Sequence, residues 1–169
     1  MSIIETDRLI LSEFSLDDAP FILEMLNDPG WLEFIGDRGV RTLDDAHGYI
    51  KRRLLDSYEK LGYGLYLAKL KNEGIPIGTC GLLKRDYLDD LDIGYAFLPE
   101  FRGKGYAFES ASAIIEYGKE KLGLKRILAF TNANNSRSIK LLKRLGLGFE
   151  KVFEMPDDEG EVELYGRDL

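Results

Sequence analysis

The reading of the fold turns on Pro99-Glu100-Phe101-Arg102-Gly103-Lys104-Gly105-Tyr106-Ala107. This stretch stands between an apolar run, Leu91 to Leu98, and a long pattern that begins at Phe108. In that pattern Phe108, Ala111, Ile114, Ile115, Gly118 and Leu122 recur at helical spacing, so they share one face. Pro99 stops the strand, and the glycines let the backbone come close to a ligand. Unpaired N–H groups at the start of a helix point at an anion, with the helix dipole behind them. Arg102 and Lys104 add positive charge. The stretch therefore reads either as a pyrophosphate cradle or as a plain glycine turn that caps a helix. A P-loop is excluded, because Tyr106 and Ala107 stand where Ser or Thr is required. A dinucleotide fingerprint is excluded because Phe108 follows the Gly103–Gly105 pair.

Working outward, Lys125 to Phe130 reads as a strand after the Gly123 cap, and Ser136 to Leu145 as a last helix ending at Gly146. Phe149–Met155 and Glu161–Tyr165 read as a terminal hairpin. Upstream, Leu65–Leu70 and Ile77–Lys84 are strands joined through Lys71-Asn72-Glu73-Gly74. Before them come a strand at Arg8–Phe14, a helix after Ser15 that ends at Asn27-Asp28-Pro29-Gly30, and a helix after Thr42. Antiparallel strands followed by a strand–helix–strand unit predict an α/β fold, a mixed sheet covered by helices with a right-handed crossover.

The chain of 169 residues suits one domain spanning residues 1–169, with 44% hydrophobic and 31% charged residues. The net charge of −7 argues against nucleic-acid binding. It fits a cationic partner, or simply solubility. No apolar run approaches the ~20 residues of a membrane helix, and the N-terminus shows no secretion signal. The lone cysteine, Cys80, can form neither an internal disulfide nor a cysteine metal cluster. A cytoplasmic location is the expectation.

A second motif, Asn134-Asn135-Ser136-Arg137-Ser138, opens the last helix. Its residues suit a helix cap, and they also suit hydrogen bonds to an amide-rich ligand arm. Together the two motifs resemble the GNAT superfamily of N-acetyltransferases. Arg102, Gly105 and Ala107 match the family's Arg/Gln-x-x-Gly-x-Gly/Ala, and Asn135 and Ser138 match its Asn-x-x-Ser. Leu145-Gly146-Leu147-Gly148-Phe149 matches the end of its last helix. Thr6-Asp7-Arg8-Leu9-Ile10-Leu11, Asp17-Asp18-Ala19 and Ile93-Gly94-Tyr95 look most like the ribosomal-protein N-terminal acetyltransferase branch.

The resemblance implies a mixed, mostly antiparallel central sheet of about seven strands with about four flanking helices. That sheet splays between its fourth and fifth strands, which end at Leu98 and near Thr131. Acetyl-CoA is the implied cofactor. Its pantetheine would pair with backbone at Phe97 and Leu98. The turn from Arg102 through Gly103, Lys104, Gly105, Tyr106 and Ala107 to Phe108 would bind its pyrophosphate. Asn135 and Ser138 would contact the pantetheine or adenosine end. The acceptor would be an amine-bearing peptide, a protein N-terminus or a small amine, and the protein a monomer or homodimer.

The chemistry would be attack of a neutral amine on the thioester. Asp92 is the first candidate for the proton acceptor, and its plain alternative is a strand carboxylate paired with Lys or Arg. Asp89 and Asp90 are expected in a turn. Glu33 and His47 fall in segments that wall the acceptor site in this family. The tyrosine acid that many relatives carry four residues after the serine is Leu142 here, so no such acid carries over. With no strong base in view, an α-amine, titrating at about 8, fits better than a lysine at about 10.4. Two other readings are a small-molecule acetyltransferase for aminoglycosides or polyamines and a non-catalytic acetyl-CoA-binding module. Trp31-Leu32-Glu33-Phe34-Ile35-Gly36-Asp37 reads as a core plug or as a lid over the acceptor.

Overall fold

The computed structural model describes residues 2–169, the side chain of Asp158 apart; Met1 lies outside them. The chain begins with β1 (Ser2–Glu5) and β2 (Leu9–Ser12), then α1 (Ala19–Leu26) and α2 (Pro29–Phe34). A continuous helix follows: α3 (Leu43–Tyr49), a π-helical stretch (Ile50–Leu55) and α4 (Asp56–Leu61). Next come β3 (Leu65–Leu70), β4 (Pro76–Leu83), β5 (Asp92–Phe97), α5 (Tyr106–Lys121) and β6 (Arg126–Thr131). α6 (Ser136–Arg144), β7 (Gly148–Glu154) and β8 (Glu161–Asp168) complete the chain. The eight strands form one sheet in the order β1-β2-β3-β4-β5-β6-β8-β7, and only β5 and β6 run parallel.

The expected architecture is present with one strand more than expected. β1 is the addition; it pairs with β2 at the sheet edge. A second difference lies at Asn27-Asp28-Pro29-Gly30. These residues end α1 and also start α2, because the Asp28 carboxylate accepts from the N–H groups of Gly30 and Trp31. Proline at the first helical position costs no hydrogen bond, so one tetrapeptide serves as both stop and start.

The sheet separates two apolar layers. Under α5 and α6 lie Leu9, Leu11, Tyr66, Leu82, Ile93, Phe97, Ile114, Ile127 and Leu142. On the other face Phe14, Ile22, Leu26, Trp31, Ile50, Leu54, Leu67 and Leu98 pack with α1 to α4. The period-2 alternation of β5 divides its side chains between them, Ile93 and Phe97 to the first layer, Ala96 and Leu98 to the second. Asp92 shares the parity of Ala96 and Leu98.

Candidate functional site

The glycine turn starts α5 without a side-chain cap. Gly103 and Gly105 take φ of +75° and +87°, the left-handed region that a side chain resists. Gly105 is the N-cap, and the first intrahelical bond runs from the Glu109 N–H to the Gly105 carbonyl at 3.0 Å. The N–H groups of Tyr106, Ala107 and Phe108 thus have no partner within the helix. By contrast α2, α3 and α6 are closed by the side chains of Asp28, Thr42 and Asn135.

The cations around this turn differ from the sequence expectation. Arg102 faces inward: its Nε donates to the Phe97 carbonyl at 2.9 Å and its Nη2 to Asp28 Oδ2 at 2.6 Å. Its charge is committed to a nearly buried carboxylate, which corrects its assignment as a phosphate contact. The Lys104 Nζ lies 5.8 Å from the Phe101 ring.

The guanidinium beside the glycines belongs instead to Arg8. It donates to the Lys104 carbonyl at 3.0 Å and lies 4.3 Å over the Tyr106 ring. Glu109 holds it at 2.7 Å. Burial pushes the Glu109 carboxyl up, but bonds from Thr6 and Arg8 outweigh that and hold it below its ordinary value. Arg144 covers the Phe108 ring at 4.2 Å. Arg8, Gly105, Phe108, Glu109 and Arg144 line an open groove of about 690 Å³. In the sequence Arg8 stands out only as part of the motif Thr6–Leu11, and nothing there signals Arg144.

Between β5 and β6 the sheet comes apart. They share one register pair, Asp92 with Leu128, and the Leu128 N–H reaches the Leu91 carbonyl at 3.0 Å. Toward Phe97 and Thr131 no further pair joins them. The Leu98 N–H donates to the Ile77 carbonyl of the β3–β4 side at 3.0 Å. Alternation along an antiparallel ladder then turns Ala96 and Gly94 toward β4, and Phe97 and Tyr95 toward the gap. Leu98 is thereby corrected as a backbone partner for a ligand in the gap: its amide is spent on Ile77. The Phe97 amide faces the gap, while its carbonyl is taken by Arg102.

Asn135 and Ser138 stand on the β6 side of the gap. The Asn135 side chain accepts from the Ser138 N–H at 3.2 Å, closing the helix end. The Ser138 hydroxyl lies 2.7 Å from the Tyr95 hydroxyl, so a bond between two side chains bridges the gap. Burial pushes the Tyr95 phenol up to about 12, against the pull of the Ser138 bond. Leu142 is buried in the core.

α2 straddles the mouth of the gap. Its Asp28 end is held by Arg102, and its Phe34 carbonyl accepts from the Asn132 side chain, just past β6, at 3.1 Å. Trp31 is 5% exposed and is the plug, while Leu32 and Ile35 face outward.

Asp92 is 2% exposed at the closed end of the gap. Arg85 donates to it from Nε at 3.1 Å. Burial raises the Asp92 carboxyl above its ordinary range, and Arg85 pulls it back. Asp89 and Asp90 lie in the β4–β5 connection, as expected. Glu33 is exposed on α2, and His47 is half-buried on α3.

With this geometry in view, residues 8–148 match the model of the acetyltransferase (GNAT) domain family. The chain belongs to the GNAT acetyltransferases. It is similar to "Uncharacterized N-acetyltransferase YnaD" of Bacillus subtilis (strain 168), at 32% identity over 89% of this chain and 85% of that one. This acetyltransferase also superposes on RimL, a ribosomal L7/L12 α-N-protein acetyltransferase in complex with coenzyme A. The TM-score is 0.85 at 16% identity, over 100% of this chain and 98% of that one. A third similar structure is MccE, the microcin C7 self-immunity acetyltransferase in complex with acetyl-CoA and AMP, with a TM-score of 0.83 at 17% identity over 97% and 94% of the two chains. These structures share its mixed α/β fold. No helix among the described residues is long and apolar enough to cross a membrane.

Proposed function

We propose that residues 1–169 form a single catalytic domain that moves the acetyl group of acetyl-CoA to a primary amine, the N-terminal α-amine of a peptide or protein. The observation that carries this reading is the uncapped start of α5 beside the mouth of the β5–β6 gap. The three unpaired amides at Tyr106, Ala107 and Phe108 suit a pyrophosphate. Arg144, which makes no ion pair among the described residues, flanks the adjoining groove and supplies positive charge, while Arg8 beside it and Arg102 are each paired with a carboxylate. The Phe97 amide, turned into the gap, is the donor for a ligand lying there as an extra strand, or for an oxyanion. RimL acts on a protein α-amine, and that similarity favours the same acceptor class here.

Asp92 takes the proton from the amine. Its site disfavours the charged carboxylate, so it holds a proton better than an exposed aspartate would. Arg85 draws it back the other way, toward a weaker base. An α-amine, already partly neutral near pH 7, needs no stronger one. On the leaving side the hydroxyl pair of Tyr95 and Ser138 supplies a proton. Tyr95 stays protonated at neutral pH, and Leu142 has nothing to give.

The experiment is thermal unfolding with and without acetyl-CoA, with ATP as the control nucleotide. Acetyl-CoA raises the Tm, ATP does not, and Gly105→Val abolishes the shift. A Cβ at Gly105 would stand 3.2 Å from Arg8 Nη2 in a backbone conformation that valine resists. No shift at millimolar acetyl-CoA would sink the proposal. Thiol release with α-amine peptides then separates an enzyme from a protein that only binds the cofactor.

A further inference from the structure

The short helix α2 is anchored to both lips of the β5–β6 gap. On the β5 side, Asp28 at its start accepts from Arg102 Nη2 at 2.6 Å, and the same guanidinium reaches the Phe97 carbonyl from Nε at 2.9 Å. Gly30 packs against that guanidinium so closely that a Cβ there would stand 2.8 Å from Arg102 Nη2. On the β6 side, the Asn132 side chain donates to the carbonyl of Phe34, the last residue of α2, at 3.1 Å. Trp31 sits between these anchors. Its side chain is 5% exposed and belongs to the apolar layer that includes Leu98, the residue after Phe97.

The indole carries one polar atom, and it is unpaired. Trp31 Nε1 is buried without a hydrogen-bond partner, and among the described residues no other buried side-chain nitrogen or oxygen is left so. Burial strips water from such a donor and gives nothing back, which is why buried polar groups are nearly always partnered. An indole N–H can only donate, so what it lacks is an acceptor. The polar groups at the anchors are committed elsewhere. Asp28 Oδ2 serves Arg102 and the Gly30 and Trp31 amides, the Phe97 carbonyl serves Arg102, and the Phe34 carbonyl serves Asn132.

We infer that Trp31 Nε1–H donates to an amide carbonyl of the pantetheine arm of acetyl-CoA where that arm passes beneath α2 into the gap. This inference rests on the acetyl-CoA reading above. The arm is the fitting partner because α2 bridges the lips between which it enters. An arm with more than one amide carbonyl can serve the Phe97 amide with one and Trp31 with another. Trp31 is then a positioning residue. It touches no reacting atom but fixes how far the arm, and with it the thioester, reaches into the gap.

The chain has a single tryptophan, so its indole N–H gives one proton resonance, which moves downfield when the group donates to a carbonyl. Acetyl-CoA moves it downfield. Adenosine 3′,5′-diphosphate, which has the nucleotide end and no amide arm, leaves it in place. Trp31→Phe keeps an aromatic ring without the donor. By calorimetry it weakens acetyl-CoA binding about three- to tenfold, the worth of one hydrogen bond, and leaves the diphosphate as it was. An indole that only packs would change both ligands alike, and that result overturns the inference. The comparison of the two ligands uses the unaltered protein, so it decides the matter even if Trp31→Phe unfolds. If acetyl-CoA binds and raises the Tm while the indole resonance stays in place, the inference fails and the acetyltransferase reading stands. A resonance that answers only to an α-amine peptide gives the donor to the acceptor and overturns the inference as well. Acetyl-CoA that fails to bind at all removes both.

Discussion

At the scale of single residues, Asp92 is held between two opposing influences. Burial at 2% exposure raises its carboxyl, and Arg85 at 3.1 Å lowers it. If Asp92 accepts the proton, activity requires its carboxylate and falls as pH drops through its pKa. Arg85→Met removes the lowering influence, so the acidic limb of the kcat/KM profile moves to higher pH. Asp92→Asn lowers kcat about a hundredfold or more, the usual worth of a positioned base. An acidic limb that stays in place in Arg85→Met shows that another group titrates. The position of Asp92 on a strand before the glycine turn was legible in the sequence, and so was the possibility of a basic partner. The identity of that partner was not, because Arg85 sits in an irregular connection whose course only the folded chain defines. Arg102 illustrates the same limit. Its motif points to phosphate, but its guanidinium is captured by Asp28, 74 residues away.

At the scale of elements, the regular strands and helices were the readable part. Leu65–Leu70 has the expected bounds, and β4, β5, α5, β6 and α6 differ from the pattern by one or two residues. Periodic burial fixes such elements. β1 was not readable, because four residues at a sheet edge with half-exposed side chains leave little pattern. α2 was hidden because Asp28-Pro29 serves both as the end of one helix and the cap of the next. Asp28 also links α2 to the glycine turn through Arg102, so one carboxylate closes a helix and sets the mouth of the gap. Asp28→Ala removes a cap worth about 1 kcal/mol and a charge-assisted bond worth about 1.5–3 kcal/mol. The expected loss in urea unfolding is thus roughly 2–4 kcal/mol. Asp28→Asn keeps the cap but not the charge, and recovers about the cap's share. A loss below about 0.5 kcal/mol in Asp28→Ala would show that α2 is held by Trp31 packing alone.

At the scale of the molecule, the chain is one sheet that behaves as two sheets joined at one point. β1 to β5 form a continuous antiparallel half, and β6, β8 and β7 form another. Backbone pairing joins them at Asp92 and Leu128, while α5, the Tyr95–Ser138 bond and α2 span the rest. The sequence resemblance implied this parting, but which amides line it depends on ladder phase, which a strand pattern does not encode. The Leu98–Ile77 bond sets that phase and leaves the Tyr95 and Phe97 amides without a strand partner, while Gly94 and Ala96 are bonded to β4. Hydrogen exchange distinguishes the two sets. In the free protein the Tyr95 and Phe97 amides exchange faster than those of Gly94 and Ala96, because exchange from the gap needs no ladder bond to open. Acetyl-CoA lying along β5 as a missing strand slows Phe97 and leaves Gly94 and Ala96 as they were. If Tyr95 and Phe97 are as protected as Ala96 before any ligand is added, the gap is closed in solution. Entry of the cofactor would then require the two half-sheets to move apart, and the rate of acetyl-CoA association would report that opening rather than encounter.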